Sequence, residues 1–517
     1  MRRPASPRTR SPQRRAGARV LAAAVTLLTI SGSAACFTTE PRPDRGGDQR
    51  LSVGLAGPPN RRMSPFSQDA WRGAQLGASE TLVNIDQAGA VTPGLAVSWS
   101  QVDATTVRVK LRDGVVFHDG TPLTAEHAAH SLTHAIAAEP VLRALVGVRL
   151  TATAVGGDTL ELRTAKPDPA LLHRLASPQL VILAPKAYGR DPGAPDPLGA
   201  GTGPYRFTSL QGTSAATLER NDAYWGGRPA LAGVDVRFLP EGSARVGALR
   251  SGEVDVVNQV PIAQLPNLGD RRLIEVPLPR TVSLYLVTAE GRTFADPGLR
   301  AAARAAVDPT MIAAGVFEGR ADPAAGLFGP ASGWAARHRA AARAAAAPPD
   351  TPDDPSGQRI TLATYPNKPE LPEAASVLAA TLTARGFVVE TVVRDYLTIE
   401  PEVLAGRFDA VILSRSYLLD VNDPIAFLTS DFSCAGSYNV ARFCAPGFDS
   451  RLAAADGHTD LPSRHAAALA LEAELVNRAV VVPLVHDRAR LATAAGVTDL
   501  AADPYERTLV TVHTSLR

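Results

Sequence analysis

Reactive side chains are few in this chain, and most of their arrangements argue against catalysis. His127, His130 and His134 are spaced i, i+3 and i+7, which puts three imidazoles on one helix face, where they could chelate a metal. Neither a G-x-S-x-G elbow nor an HExxH pair occurs, and Ser, His and Asp are too scattered to suggest a triad. The neighbouring carboxylates Asp353 and Asp354 lie in a proline-rich loop, where solvation is a better account than acid–base work. The glycine-rich run GAGTGPY (199–205) is a poor phosphate loop, because Pro204 interrupts it and no Lys-Ser/Thr pair follows. Two acids remain in SYLLDVNDP (416–424), just after a buried apolar strand. Asp423 precedes Pro424 and suits a turn cap; Asp420 stands three residues earlier. In a dry cleft a lone carboxylate makes a strong charge-assisted bond to an ammonium, which is expensive to bury unpaired.

The elements that must position such groups are legible along the chain. Val107, Val109 and Leu111 alternate with Arg108 and Lys110, the period of a half-buried strand. Asp113-Gly114 supplies a turn, and Val115 to Phe117 is expected to return as a paired strand. After a second turn at Asp119-Gly120, Thr124 is placed to cap a helix that begins at Ala125. Further strands are expected at 51–55, 159–163, 281–290, 360–365, 387–393, 410–414 and 480–484, and helices at 299–307, 371–385 (with Gly386 as C-cap) and 466–478. PPDTPDDPSGQ (348–358) reads as a loop. Alternating β and α segments with mixed connections indicate an α/β protein.

The order hairpin, DGTPLTAE (119–126), helix closely resembles the signature of family 5 extracellular solute-binding proteins, the peptide and nickel receptors of ABC importers. Glu80-Thr81-Leu82-Val83, Pro93-Gly94-Leu95, GTGPYRF (201–207), RNDAYWGGRP (220–229) and GEVDV (252–256) fall in the same family order. The resemblance implies a two-lobed, periplasmic-binding-protein-like α/β fold of type II, with mixed sheets flanked by helices and a hinge between lobes. It implies a first lobe of 51–280 plus 490–517, with 81–199 as an inserted subdomain, and a second lobe of 281–489. By the same resemblance Asp420 pairs with a ligand α-ammonium, Tyr417 falls where the family often has Trp and stacks on the ligand, and Arg415 and Asn439 are further cleft candidates. The histidine face then lies on the outer subdomain, so a solvated stripe is expected there and no metal or other cofactor is assigned.

Charge and leader fit an exported protein. The 517 residues are 45% hydrophobic and 20% charged, with a formal charge of +2. Seven arginines (2, 3, 8, 10, 14, 15 and 19) and no acid lie in residues 1–35; without them 46 basic residues face 51 acidic ones, a net of −5. That balance gives no reason to expect nucleic acid as a partner. Residues 1–35 read as a signal peptide, since the apolar run Val20 to Ile30 is too short to span a bilayer. Ser33-Ala34-Ala35-Cys36 resembles a lipobox, although Ser33 stands where Leu is usual, so plain cleavage near Ala35 stays open. Arg14-Arg15 leaves export by the general or the twin-arginine route undecided. Residues 36–50 are expected to be a flexible lipid-anchored tether. With Cys36 assigned to the leader, Cys434 and Cys444 remain as an even pair, and a bridge between them closes a short loop worth about 3 kcal/mol.

The expectation is therefore a monomeric, non-enzymatic receptor on the outer face of the cell membrane or in the periplasmic space. It captures short peptides or peptide-like amines and passes them to an ABC permease. A non-transporting structural or regulatory lipoprotein of the same fold, and a receptor for nickel chelates or sugars, are the alternatives.

Overall fold

The computed structural model describes residues 49–57, 59, 61–67, 69–417 and 421–517. The expected leader, Cys36 and most of the tether lie outside these residues, as does Asp420.

One mixed sheet of eleven strands runs through both lobes. Its first-lobe part has the order Val256–Val257, Arg50–Leu55, Gly233–Phe238, Ala215–Arg220, Tyr205–Gln211. Arg50–Leu55 is parallel to both its neighbours, and Leu51, Val53 and Leu55 are fully buried, as expected for a central strand covered on its faces. The second-lobe part runs Val388–Val393, Arg359–Thr364, Ala410–Ser416, with parallel pairing throughout.

Two long antiparallel strands join these parts. Arg272–Leu286 has 15 residues and Val481–Thr493 has 13. Arg272 to Pro277 pair with Thr493 to Arg488, and Thr281 to Tyr285 pair with His486 to Val481. Between these runs the register shifts, because Pro277 and Pro279 cannot donate to the ladder. Charges gather at this break. Asp487 is buried against Lys368 and lies 3.9 Å from Arg490, while Arg280 meets Glu506 at 3.6 Å. An interrupted two-strand crossing is a natural place for hinge bending.

Residues 82–200 build a separate hydrophobic core around a four-stranded antiparallel sheet. Its order is Ala96–Asp103, Thr106–Leu111, Thr159–Thr164, Leu150–Ala154. The helix Ala125–Ile136 covers it, capped as expected by Thr124, whose hydroxyl accepts from His127 N at 3.2 Å. One expectation fails here. Val115 to Phe117 form no strand; only Val116 makes an isolated bridge, to Pro122. Val115 and Phe117 are buried by side-chain packing instead, and Thr106–Leu111 takes its partners from Ala96–Asp103 and Thr159–Thr164.

Three of the family-like segments meet at Glu80. Its carboxylate accepts from Thr202 Oγ1 (2.7 Å), Tyr224 OH (2.8 Å) and Trp225 Nε1 (3.0 Å). The Arg112 guanidinium lies 4.1 Å over the Trp225 ring. Burial pushes the Glu80 carboxyl up despite these bonds, each of which favours the ion. The segments thus tie the inserted core to the first-lobe sheet.

Candidate functional site

A cavity of about 580 Å³ opens at the end of the strand Ala410–Ser416. One wall comes from the inserted core, through Arg143, Val146, Gly147 and Arg174. The other comes from the second lobe, through Arg415, Ser416, Tyr417, Phe427 and Tyr438. Volume and lining fit a small-molecule site: a partly aromatic wall with a few converging polar groups.

The residues that flank 418–420 are each tied to neighbouring elements. On one side, Tyr417 OH accepts from Gly329 N (2.9 Å) and Ser332 Oγ (3.3 Å). Its ring meets Phe328 edge-on at 5.2 Å and packs near Phe427. Burial pushes its phenol up, so it stays neutral. On the other side, Asp423 caps the helix Pro424–Phe432 by accepting from Ala426 N at 2.8 Å. Arg464 grips the same carboxylate with Nε at 2.6 Å and a terminal nitrogen at 3.0 Å. Arg464 in turn donates to the carbonyls of Asp456 (2.8 Å) and His458 (3.0 Å). Burial works against the charge on Asp423, but the bonds and charge of Arg464 prevail and hold the carboxyl below its ordinary range.

Arg415 is paired with a buried acid. It makes a bidentate bond to Asp431, Nε at 2.7 Å and a terminal nitrogen at 2.9 Å, and lies 4.2 Å over the Tyr438 ring. Arg174 bonds to Asp168 (2.7 Å) and to the Ala144 carbonyl (3.0 Å), which fixes the turn Arg143–Leu145 that carries Arg143 to the cavity. Asn439 has a different occupation. Its amide donates to the Ser433 and Phe443 carbonyls (2.9 and 2.6 Å) and accepts from Phe443 N (3.0 Å). It staples the loop closed by the Cys434–Cys444 disulfide, and its neighbour Tyr438 is the residue that reaches the cavity.

Of the sequence candidates, the structure brings Tyr417 and Arg415 to one cavity and puts Asn439 behind it. Arg143, Arg174, Phe427 and Tyr438 were missed. None of them stands in a recognisable pattern; the Ser-Tyr-Asn run 437–439 was the one signal, read one residue too far. The histidines of the helix Ala125–Ile136 do not line the cavity. His134 stacks on Tyr188 at 4.2 Å, His130 packs edge-on to both rings, and His127 Nδ1 bonds the Pro122 carbonyl at 2.8 Å. Among the described residues no three metal-ligating side chains come together, and no helix is long and apolar enough to cross a membrane.

Residues 90–439 match the bacterial extracellular solute-binding proteins, family 5 (middle region). Among curated relatives, a probable di/tripeptide-binding protein 5 of Pseudomonas aeruginosa is 26% identical over 465 residues, covering 81% of this chain and 86% of the relative. The nickel-binding protein NikA of Staphylococcus aureus is 25% identical over 306 residues, 58% of each chain, so little more than half of that relative is spanned. In three dimensions, NikA from Brucella suis in complex with Fe(III)-EDTA superposes with a TM-score of 0.76 at 22% identity, covering 90% of this chain and all of that one. A dipeptide-binding protein from Pseudoalteromonas sp. SM9913 in complex with Met-Leu gives 0.73 at 20% identity, covering 91% and 100%. With its two-lobed architecture and a family match over residues 90–439, the chain belongs to the bacterial extracellular solute-binding proteins, family 5.

Proposed function

We propose that this protein is the extracytoplasmic receptor of an ABC importer and that it binds a short peptide or peptide-like amine in the cavity between Arg143 and Tyr438. One observation carries the reading: the cavity walls come from both lobes, so a ligand filling it favours the closed state that a permease can sense. Tyr417 and Asp423, described on either side of 418–420, are tied to neighbouring elements, and Asp420 supplies the carboxylate for the ligand's ammonium. Arg415, with its charge balanced by Asp431, and Tyr438 form a rigid planar wall on which a side chain or peptide plane can stack. The lobes divide at 280–281 and 489–490, with 81–199 as the inserted part. A lipid on Cys36 holds the receptor, as a monomer, at the outer face of the membrane.

A metal chelate is the second reading. Its support is the 25% identity to the nickel-binding protein NikA over 306 residues; of the cavity's arginines, Arg174 and Arg415 are paired with Asp168 and Asp431. Native mass spectrometry of protein purified without refolding separates the two, because a co-purified ligand reports its mass and isotope pattern. A protein that emerges empty, and gains no thermal stability with either a dipeptide library or nickel–histidine, removes both readings.

A further inference from the structure

A short seam beside the cavity joins the two lobes through groups that titrate. On the first-lobe side, His173 sits on the short helix Leu171–Leu175, whose leucines belong to the core of residues 82–200. Its Nε2 lies 3.2 Å from the Gly89 carbonyl at the tip of the hairpin Val83–Ile85/Val91–Pro93, while its buried Nδ1 has no partner. Gly89 has φ +88°, and a Cβ there would come within 3.9 Å of Asn422 Nδ2 and 4.0 Å of Tyr505 OH. Asn422 is buried on the second-lobe side, next to Asp423 and one turn from the cavity-lining Ala426 and Phe427. The helix Leu461–Asn477 stands behind it, with Arg464 on Asp423 and His465 stacked on Trp334 at 4.0 Å.

We propose that this seam is a pH-sensitive latch: neutral His173 lets the lobes close over the cavity, and a proton on His173 drives them apart. The charges facing His173 act in both directions, and burial decides the sign. Asp423, from the segment before the helix Pro424–Phe432, attracts a proton, but Arg464 already balances that carboxylate. Arg507, from the C-terminal segment, opposes protonation, Asp456 puts a second acid on Arg464, and His465, from the helix Leu461–Asn477, is kept neutral by burial; on the near side Arg174 is balanced by Asp168. A charged imidazole would thus be buried with no acceptor for its Nδ1–H among the described residues. Burial is the larger cause that holds His173 below the ordinary imidazole range, and burial lowers His465 to about 4. Opening the seam returns His173 to water and to the ordinary value of about 6.5. Closure is therefore favoured above that value and is lost as pH falls below it. For the proposed receptor, the consequence is ligand release in acidified surroundings. Only this consequence rests on the ligand reading; the latch itself needs no ligand.

Hydrogen–deuterium exchange of the ligand-free full chain in detergent, corrected for the pH dependence of chemical exchange, tests it. Between pH 7.5 and 5, peptides covering 84–92 and 421–428 should lose protection several-fold, while the crossing strand 481–491 stays protected. In His173→Gln the seam should keep its protection at both pH values. His173→Asn serves as a second neutral replacement should Gln disturb the crossing strand. An unchanged seam in the wild type at pH 5, or an equal loss in the neutral variants, overturns the latch.

Discussion

The Glu80 node and the rim of the cavity are built on opposite principles. At the node, Thr202, Tyr224 and Trp225 converge on one carboxylate, and each belongs to a segment recognisable in the sequence. None of them lines the cavity. At the rim, Arg143, Arg174, Phe427 and Tyr438 shape the cavity, and none stands in a recognisable pattern. The recognisable residues of the node hold the architecture, whereas at the rim only Arg415 and Tyr417 were readable from the strand end that carries them. If this division is right, changes at the node lower stability without changing ligand affinity, whereas changes at the rim do the reverse. Residues that pin the rim do both.

Arg464 is the strongest test of the pinning class. Arg464→Met leaves Asp423 buried without its partner and should cost about 3–5 kcal/mol of stability, read by chemical denaturation. Asp423 sits below its ordinary pKa in the folded protein, so its stabilising pair is fully formed above the unfolded carboxylate value of about 4 and is lost as pH falls through the lower folded value. In the variant the same acid gains by being protonated. The stability gap between wild type and variant should therefore be widest near neutral pH and narrow towards pH 3. A gap independent of pH would mean that lost packing, not charge, is the cause.

Cys434→Ser with Cys444→Ser should cost about 3 kcal/mol on the chain-entropy account and loosen the loop that presents Tyr438. Stability and affinity should both fall, and reduction of the wild type should reproduce the pair. If affinity is untouched, Tyr438 is held by Arg415 and Tyr396 rather than by the bridge.

How much of this was readable beforehand differs between the same two regions. The helix at Thr124, the strands Arg359–Thr364 and Ala410–Ser416 and the mixed α/β class follow from local pattern, because a cap or a period of two acts within a few residues; Gly386 ends its helix from one residue beyond the C-cap Arg385. The crossing strands differ from expectation at their ends: 281–290 starts nine residues late and runs past Leu286, and 480–484 stops short of Thr493. An apolar run signals burial, and burial ends near Leu484 in the pattern, yet the strand continues to Thr493 by pairing with Arg272 to Pro277. The expected lobe limits at 280–281 and 489–490 fall inside these two strands, which serve both parts of the sheet. The false strand at Val115 to Phe117 arose because burial of Val115 and Phe117 mimics alternation, whereas partners come from segments distant in sequence. In the site, Tyr417 and Arg415 were reachable from the strand end that precedes them. Arg143 and Arg174 were not, because they reach the cavity only once the inserted core folds against the second lobe.

With Asp420 as the proposed ammonium partner, Asp420→Asn should weaken a peptide amine ligand by about 2 kcal/mol or more while leaving the melting temperature unchanged. Unchanged affinity in calorimetry with that ligand would remove the ammonium partner from this position and leave the family membership intact.

The smallest expected effect separates the node from the rim most cleanly. Glu80→Gln keeps the shape of the side chain and one acceptor but removes the ion that Thr202, Tyr224 and Trp225 donate to. Charge-assisted bonds are worth more than neutral ones, which predicts a loss of about 1–2 kcal/mol. Burial already disfavours the ion, however, and the carboxyl sits above its ordinary value, so part of that loss is returned when the charge is removed. The net change should lie at the low end, with ligand affinity unaltered because no atom of the node meets the cavity. A lower affinity at full stability would show that the node reaches the ligand through the hinge, and the division between architecture and binding would have to be redrawn at Glu80.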